Sequence, residues 1–116
     1  PFLTNLAQGG RALPGIVALQ GTFPLNDVPA IVERIQRPSL GVAEAVASYY
    51  TNAADLGLDV GVDRSGHPWL FEVNTRDQRI TFLEAGMHDA FRTLYRNPLA
   101  YCALVATSDK PVPSLE

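Results

Sequence analysis

Residues 58–74 read LDVGVDRSGHPWLFEVN, in which two runs of alternating apolar and polar residues flank the segment Arg64-Ser65-Gly66-His67. Alternation with a period of two is typical of a strand that has one apolar face. A short glycine-containing segment between two such runs is typical of a β-hairpin. This stretch therefore predicts two antiparallel strands, which form the sheet of the domain.

The register of this hairpin follows from the positions of its apolar residues. Residues directly opposite each other in an antiparallel pair share a face, so the two apolar sets meet only if the paired residue numbers have an odd sum. A two-residue or a four-residue loop centred on Ser65-Gly66 gives a sum of 131. The resulting apolar pairs are Leu58–Val73, Val60–Phe71 and Val62–Trp69. The same register places Asp59 directly across from Glu72, with Asn74 two residues further along the same face.

Asp59, Glu72 and Asn74 form the candidate functional site. Two carboxylates opposed on neighbouring strands destabilise the pair unless a positive charge lies between them. Asp, Glu and Asn supply the hard oxygen ligands that Mg²⁺ prefers, and Gly61 beside them is expected to leave space for a ligand. The pattern therefore predicts a magnesium site. In the alternative, the two carboxylates face water or pair with nearby arginines. Those arginines are Arg64, Arg76 and Arg79.

Two helices are predicted before the hairpin. Asn26 or Asp27 can cap a helix that has Pro29 in its first turn and that ends at Pro38. Ser39 can then cap a longer helix, which stops at Gly57. Further upstream, residues 2–6 have the pattern of a short strand, which the pair Gly9-Gly10 ends before a loop over residues 11–15.

Two more helices are predicted after the hairpin. Residues 81–84, Thr-Phe-Leu-Glu, match a capping box that opens a helix through about Tyr95, and Asn97-Pro98 opens another. Polar and proline-rich residues from Ser108 onward predict a flexible tail. The fold class is therefore α+β, an antiparallel sheet with packed helices. Its boundaries are one domain over residues 1–107 and a tail over residues 108–116.

Composition narrows the classes of function. With 116 residues, 47% of them hydrophobic and 18% charged, the chain is typical of one compact domain. A formal charge of −3 leaves no broad basic surface, which excludes nucleic acid as the expected partner. No apolar run approaches the roughly 20 residues of a membrane span, so no membrane partner is expected. The single Cys102 lies in an apolar stretch and fits a reduced, cytoplasmic interior.

Two features predict that the chain is a fragment of a longer protein. It begins at Pro1 without a methionine, and its only lysine is Lys110, in the predicted tail. A function that grips phosphates with lysines must therefore take them from elsewhere, and we expect an N-terminal part of the same protein as a partner.

The spacing of Asp59, Glu72 thirteen residues later and Asn74 two beyond resembles the metal-binding strands of ATP-grasp enzymes. Within that superfamily the chain is most similar to the YheC/YheD group, the endospore coat-associated ATP-grasp proteins. The opening of the group resembles residues 4–10, TNLAQGG, and its closing helix resembles residues 97–101, NPLAY. The resemblance covers about residues 3–106 and implies the C-terminal subdomain of an ATP-grasp fold.

The resemblance also implies roles for these residues. Two Mg²⁺ or Mn²⁺ ions would bind here, one held by Asp59 and Glu72 and the other by Glu72 and Asn74. ATP would be the second cofactor. The glycine-containing loop is similar to the Asn-x-x-x-Gly-Gly segment of RimK-like and glutathione-synthetase-like ligases, which lies near the phosphates and the substrate. The residues expected to contact ATP or substrate there are Asn5, Gly9, Gly10 and Arg11. An ordinary turn with a solvated arginine is the alternative.

Departures from the family pattern include Gln8, which stands where a basic residue is common in the related loop. Many ATP-grasp ligases have an arginine two residues before the first metal aspartate, where this chain has Gly57. After Asn74 the YheC/YheD group has a small residue, lysine and proline, whereas this chain has Thr75-Arg76-Asp77. Arg76 is expected to replace the missing cation and to contact ATP or substrate.

The resemblance implies that the parent protein is an ATP-dependent ligase, which activates an unknown carboxylate as an acyl phosphate that an amine or thiol then attacks. The fragment alone is expected to be inactive, to be cytoplasmic with spore association, and to form a homodimer through its open sheet edge. One alternative is a non-catalytic ATP-grasp-like module with a structural or binding role at the spore coat. Another is an unrelated α+β domain whose hairpin matches by chance.

Overall fold

The computed structural model describes residues 9–50, 53–75 and 79–108. Its helices and strands are, in chain order, α1 (Gly15–Gln20), α2 (Val28–Tyr49), β1 (Gly57–Val62), β2 (Pro68–Asn74), α3 (Ile80–Glu84) and α4 (His88–Thr107). The two strands form one antiparallel sheet, which confirms the α+β class. The predicted strand at residues 2–6 and most of the predicted tail lie outside the described residues, and the boundary after residue 107 stays a prediction.

Helix α2 is continuous where two helices were expected. It begins after Asp27 with proline in its first turn, as predicted, but it runs through Pro38 to Tyr49. The predicted cap at Ser39 is wrong, because its Oγ donates to the carbonyl of Ile35 inside the helix, at 2.7 Å. The apolar residues on both sides of the proline stay in phase at helical spacing, so one helix keeps them on one face. Gly57 therefore ends no helix and instead begins β1.

The region after the hairpin also divides differently from the prediction. Helix α3 ends at Glu84, and Gly86 just after it has a φ of 73°, which is readily adopted only by glycine. The amide of Met87 donates to the Phe82 carbonyl at 2.8 Å and that of Gly86 to the Leu83 carbonyl at 2.9 Å. This is the Schellman motif, which closes a helix end. The predicted single helix through Tyr95 is therefore wrong.

The expected start signals of these last helices are wrong as well. Helix α3 begins at Ile80, after Arg79, whose side chain makes no capping hydrogen bond, and not at the capping box of residues 81–84. Helix α4 begins after Met87 and continues through Pro98, so Asn97-Pro98 starts no helix. Cys102, expected in an apolar interior, is exposed on α4. Helix α1, which had no sequence prediction, begins with the Pro14 carbonyl accepting from the amides of Val17 and Ala18.

The best-buried contact of the described residues joins α2 to the hairpin turn. Val28 and Ile31, in the first turns of α2, are the hydrophobic residues that are fully buried within the described part of the chain. Gly66 in the turn packs on Ile31 so closely that a Cβ at Gly66 would lie 2.8 Å from Ile31 Cγ1. Elsewhere α1 packs on α2 and α3 packs on α4. The hairpin is thus held on the helices by its turn.

The apolar residues of β2 are largely exposed. Trp69, Leu70, Phe71 and Val73 are 55%, 46%, 76% and 37% exposed. The shape is elongated, with extents of 50 × 26 × 26 Å. None of the helices in the described ranges is long and apolar enough to cross a membrane.

Candidate metal centre

The strand register places the two candidate carboxylates opposite each other. Asp59 pairs with Glu72, and the neighbouring pairs are Leu58 with Val73 and Gly57 with Asn74. These pairings follow the predicted sum of 131. Beyond an irregularity between Asp59 and Val60 the register changes, so that the pairs become Val60–Leu70, Gly61–Trp69 and Val62–Pro68. The predicted pairs Val60–Phe71 and Val62–Trp69 are therefore wrong.

The turn explains the change of register. The Asp63 amide donates to the His67 carbonyl at 3.0 Å, and the Gly66 amide donates to the Asp63 carbonyl at 2.9 Å. The loop between Asp63 and His67 therefore has three residues, with Gly66 at a φ of 75°, a common hairpin type with glycine in the left-handed region. A three-residue loop gives an even sum, 130. One extra residue in β2, Phe71, forms a bulge and restores the sum of 131 at Asp59 and Glu72.

The carboxylate of Asp63 holds this turn together. Its Oδ1 accepts from the Ser65 amide at 2.8 Å, the Ser65 hydroxyl at 2.6 Å and the His67 amide at 3.0 Å, while its Oδ2 accepts from Trp69 Nε1 at 3.0 Å. The hydrogen bonds from the side chains of Ser65 and Trp69 and from the His67 amide hold the pKa of Asp63 well below its usual range. Asp63 is thus a turn residue and not a third site carboxylate. The run Asp-x-x-Gly is a sequence signal for this turn.

The bulge brings an aromatic ring onto the face of the site. A Cβ built on Gly61 would lie 2.4 Å from Phe71 Cε2, and Gly61 shares its strand face with Asp59 because alternate residues point the same way. The space expected for a ligand beside Gly61 is therefore occupied by the ring of Phe71. The alternating pattern of residues 68–74 gives no signal for this bulge.

Asp59 and Glu72 are exposed, and neither takes part in the ion pairs found between described residues. Asn74 differs from them. Its Oδ1 is buried and has no hydrogen-bond partner within the described part of the chain. An unsatisfied buried acceptor costs about 1–3 kcal/mol, which a bound cation would offset.

The donor set at this end of the hairpin suits a small hard cation. Two carboxylates and one amide oxygen are the ligand types that Mg²⁺ and Mn²⁺ bind. Among the described residues, His, Cys, Asp and Glu side chains form no cluster of three or more that could hold a metal. A metal site here would therefore need the amide of Asn74 as its third protein ligand.

Arg79 ties the open end of the hairpin to the following helices. It forms an ion pair with Asp55, two residues before β1, and its guanidinium lies 4.8 Å from the centre of the Tyr95 ring on α4. Both charged side chains are mostly buried, at 19% and 22% exposure. Arg79 thus binds Asp55 and not the site carboxylates, contrary to one sequence alternative. It fixes the chain on both sides of the pair Gly57–Asn74.

The other predicted site residues lie apart from this cluster or outside the described residues. Gly9 has a φ of 92°, a backbone state that favours glycine. Arg11 lines a cleft of about 380 Å³ between residues 11–15 and α3, and the three hairpin residues do not line it. Asn5 and Arg76 are outside the described residues. The roles of Gly10 and Arg11 in binding ATP or substrate stay a prediction.

Comparison with known protein families identifies the family of the chain. Residues 1–105 of the chain match the family described as YheC/D like ATP-grasp. Curated proteins and solved structures gave no significant match. The matched region includes the whole hairpin and nearly all of α4. The chain therefore belongs to the YheC/D-like ATP-grasp family of ATP-binding modules.

Proposed function

We propose that the chain forms the metal-binding and MgATP-binding part of an ATP-grasp ligase, with Asp59, Glu72 and Asn74 as the protein ligands of Mg²⁺ or Mn²⁺. The observation that carries the proposal is the pairing of Asp59 with Glu72 beside a buried, unpartnered Asn74 Oδ1 within the described residues. Such a set of oxygens is costly without a cation and favourable with one.

The geometry suggests a separate task for each ligand. Glu72 lies across from Asp59 and two residues before Asn74 on the same strand, so it is the residue able to share a cation with either neighbour. Asn74 adds an oxygen without adding charge, which limits the repulsion in the empty site. Bound Mg²⁺ would supply neutralisation and orientation of the phosphate oxygens.

A complete site needs groups that this chain lacks. Lys110 is its only lysine, so any further lysines that bind the phosphates in a transfer reaction must come from elsewhere. We infer that an N-terminal part of the protein supplies them, and that Arg76, Asn5, Gly9, Gly10 and Arg11 face the same ligands from this side. The complete protein would activate a carboxylate as an acyl phosphate for attack by an amine or thiol. The 116-residue chain alone would turn over no ATP.

Mn²⁺ titration followed by electron paramagnetic resonance tests the metal centre. The chain is expected to bind Mn²⁺, and Glu72→Gln is expected to weaken that binding at least tenfold, since it removes one of two charged ligands. Glu44→Gln, a change of the same type on the exposed surface of α2, serves as the control and leaves binding unchanged. Equal Mn²⁺ affinity in the wild type and Glu72→Gln would overturn the assignment.

A second candidate function is a non-catalytic ATP-grasp-like module with a binding or structural role, including at the spore coat. Gly57 favours it, because the family pattern has a phosphate-facing arginine at that position. The complete protein separates the two functions: metal-dependent ATP turnover supports the ligase, whereas Mn²⁺ binding without turnover in the presence of varied carboxylates supports the module.

A further inference from the structure

The cleft beside α3 is a second candidate site, and Asp59, Glu72 and Asn74 are not among the residues that line it. Its volume is about 380 Å³, which lies in the usual range of small-ligand pockets, about 300–1,000 Å³. One wall includes Arg11, Leu13 and Gly15, and the other includes Thr81, Phe82 and Met87. The cleft thus joins the loop after the glycine pair to the first helix after the hairpin.

The lining of this cleft is amphipathic. Arg11 is its only charged residue among the described residues that line it, and Leu13, Phe82 and Met87 supply apolar surface. Phe82 and Met87 come together through the Schellman motif at Gly86, in which the Met87 amide donates to the Phe82 carbonyl at 2.8 Å. The two apolar side chains are therefore brought together by the backbone geometry of the helix end.

We propose that this cleft binds a carboxylate that carries an apolar side chain, with Arg11 on the carboxylate and Phe82 and Met87 on the apolar group. Arginine forms paired hydrogen bonds with a carboxylate, and the apolar residues beside Arg11 suit a ligand with an apolar group next to its charge. The inference rests on the proposed function and names the class of its acyl substrate.

The cleft is also linked mechanically to the metal centre. Helix α3 begins after Arg79, and Arg79 pairs with Asp55 next to β1. The wall that carries Phe82 is thereby anchored to the same end of the hairpin as Asn74. A carboxylate held by Arg11 therefore lies against an element whose position is fixed relative to the metal ligands.

Titration of the ¹⁵N-labelled chain with acetate, butanoate and hexanoate in EDTA tests the inference by amide shift mapping. We expect the largest shifts at Arg11, Phe82 and Met87, with affinity rising about twofold to fourfold per methylene. Arg11→Gln should lower hexanoate affinity about tenfold or more, and Met87→Ser should remove most of the chain-length dependence. Arg92→Gln, on the exposed surface of α4, is the matched control.

Three results would overturn the inference: affinity independent of chain length, equal binding of hexylamine, or inorganic phosphate binding as tightly as hexanoate at the same amides. The last outcome would identify the cleft as a phosphate site. Glu72→Gln keeps the two proposals apart, because it should weaken Mn²⁺ binding and leave hexanoate affinity unchanged. If the wild type binds Mn²⁺ but not hexanoate, only the cleft proposal is refuted. If it binds hexanoate but Glu72→Gln binds Mn²⁺ as tightly as the wild type, only the metal-centre proposal is refuted.

Discussion

Asp59 lies directly across the hairpin from Glu72, and the bulge at Phe71 lies immediately next to this pair. The carboxylates are thus opposed at the start of the register change, where the backbone twist of a bulge is strongest. Opposed residues in such a ladder have Cβ atoms about 4.5–5.5 Å apart. Like charges on residues directly opposite each other destabilise the strand pair, and a divalent cation between them relieves the repulsion.

Removing one of the two charges should therefore have opposite effects with and without metal. We expect Asp59→Asn to raise the free energy of unfolding of the metal-free chain by up to about 1 kcal/mol. Mn²⁺ at ten times its Kd should stabilise the wild type by about 1.4 kcal/mol and the variant much less. Urea unfolding with and without Mn²⁺ measures both effects. A lower stability of metal-free Asp59→Asn would contradict the repulsion.

The pairing of Asp59 with Glu72 was predictable because two shifts of the strand register compensate each other. The three-residue turn shifts the register by one, and the bulge at Phe71 shifts it back, so the pairing of Asp59 with Glu72 survives both. The turn type was within reach of the sequence, since Asp63 and Gly66 occupy the first and fourth positions of a turn. The bulge was not, because it depends on the contact of Phe71 with Gly61.

The helices show where local signals fail. Pro38 and Pro98 lie inside α2 and α4, although each was expected to mark a boundary. An internal proline removes one hydrogen bond, but the apolar spacing on both sides continues in phase and outweighs the local cost. Gly86 ends α3 because its backbone adopts a positive φ, a property that the spacing of neighbouring apolar residues does not reveal.

The docking of the turn on α2 predicts a strong effect at Gly66. Its positive φ and a Cβ position 2.8 Å from Ile31 Cγ1 leave no room for a side chain. Gly66→Ala should lower the free energy of unfolding by about 1–3 kcal/mol. Gly41→Ala, in the helix interior with open space around it, should instead raise it by about 0.5–1 kcal/mol. Chemical denaturation of both variants checks the prediction. A Gly66→Ala variant as stable as the wild type would show that the turn is not packed on α2.

Asp63 predicts a pH dependence of hairpin stability. The pKa of its folded form is depressed by the hydrogen bonds of Ser65, Trp69 and His67, so its contribution is complete above the unfolded pKa of about 3.9. That contribution is lost as the pH falls from there through the folded pKa. Asp63→Asn should therefore destabilise the chain at pH 7 and flatten its loss of stability below about pH 4.

Fluorescence of Trp69, the only tryptophan, follows this transition at the turn itself. Glu44→Gln is the matched control, since it removes an exposed carboxylate on α2 and should leave the loss of stability at low pH unchanged. If Asp63→Asn loses stability at low pH as the wild type does, the carboxylate of Asp63 does not stabilise the folded turn.

The pair Asp55–Arg79 predicts coupling between the metal end of the hairpin and the last helices. Both side chains are mostly buried, so removing one partner leaves the other charge desolvated. We expect Arg79→Gln to cost about 2–4 kcal/mol, because it also loses the contact with Tyr95, and Asp55→Asn about 1–3 kcal/mol. The double variant should cost less than the sum of the two.

Arg37→Gln breaks the exposed pair with Glu33 and should cost less than about 0.5 kcal/mol. If Asp55 and Arg79 position Asn74, both single variants also weaken Mn²⁺ binding, whereas Arg37→Gln leaves it unchanged. Additive costs in the free energy of unfolding, together with wild-type Mn²⁺ affinity in both single variants, would rule out this coupling.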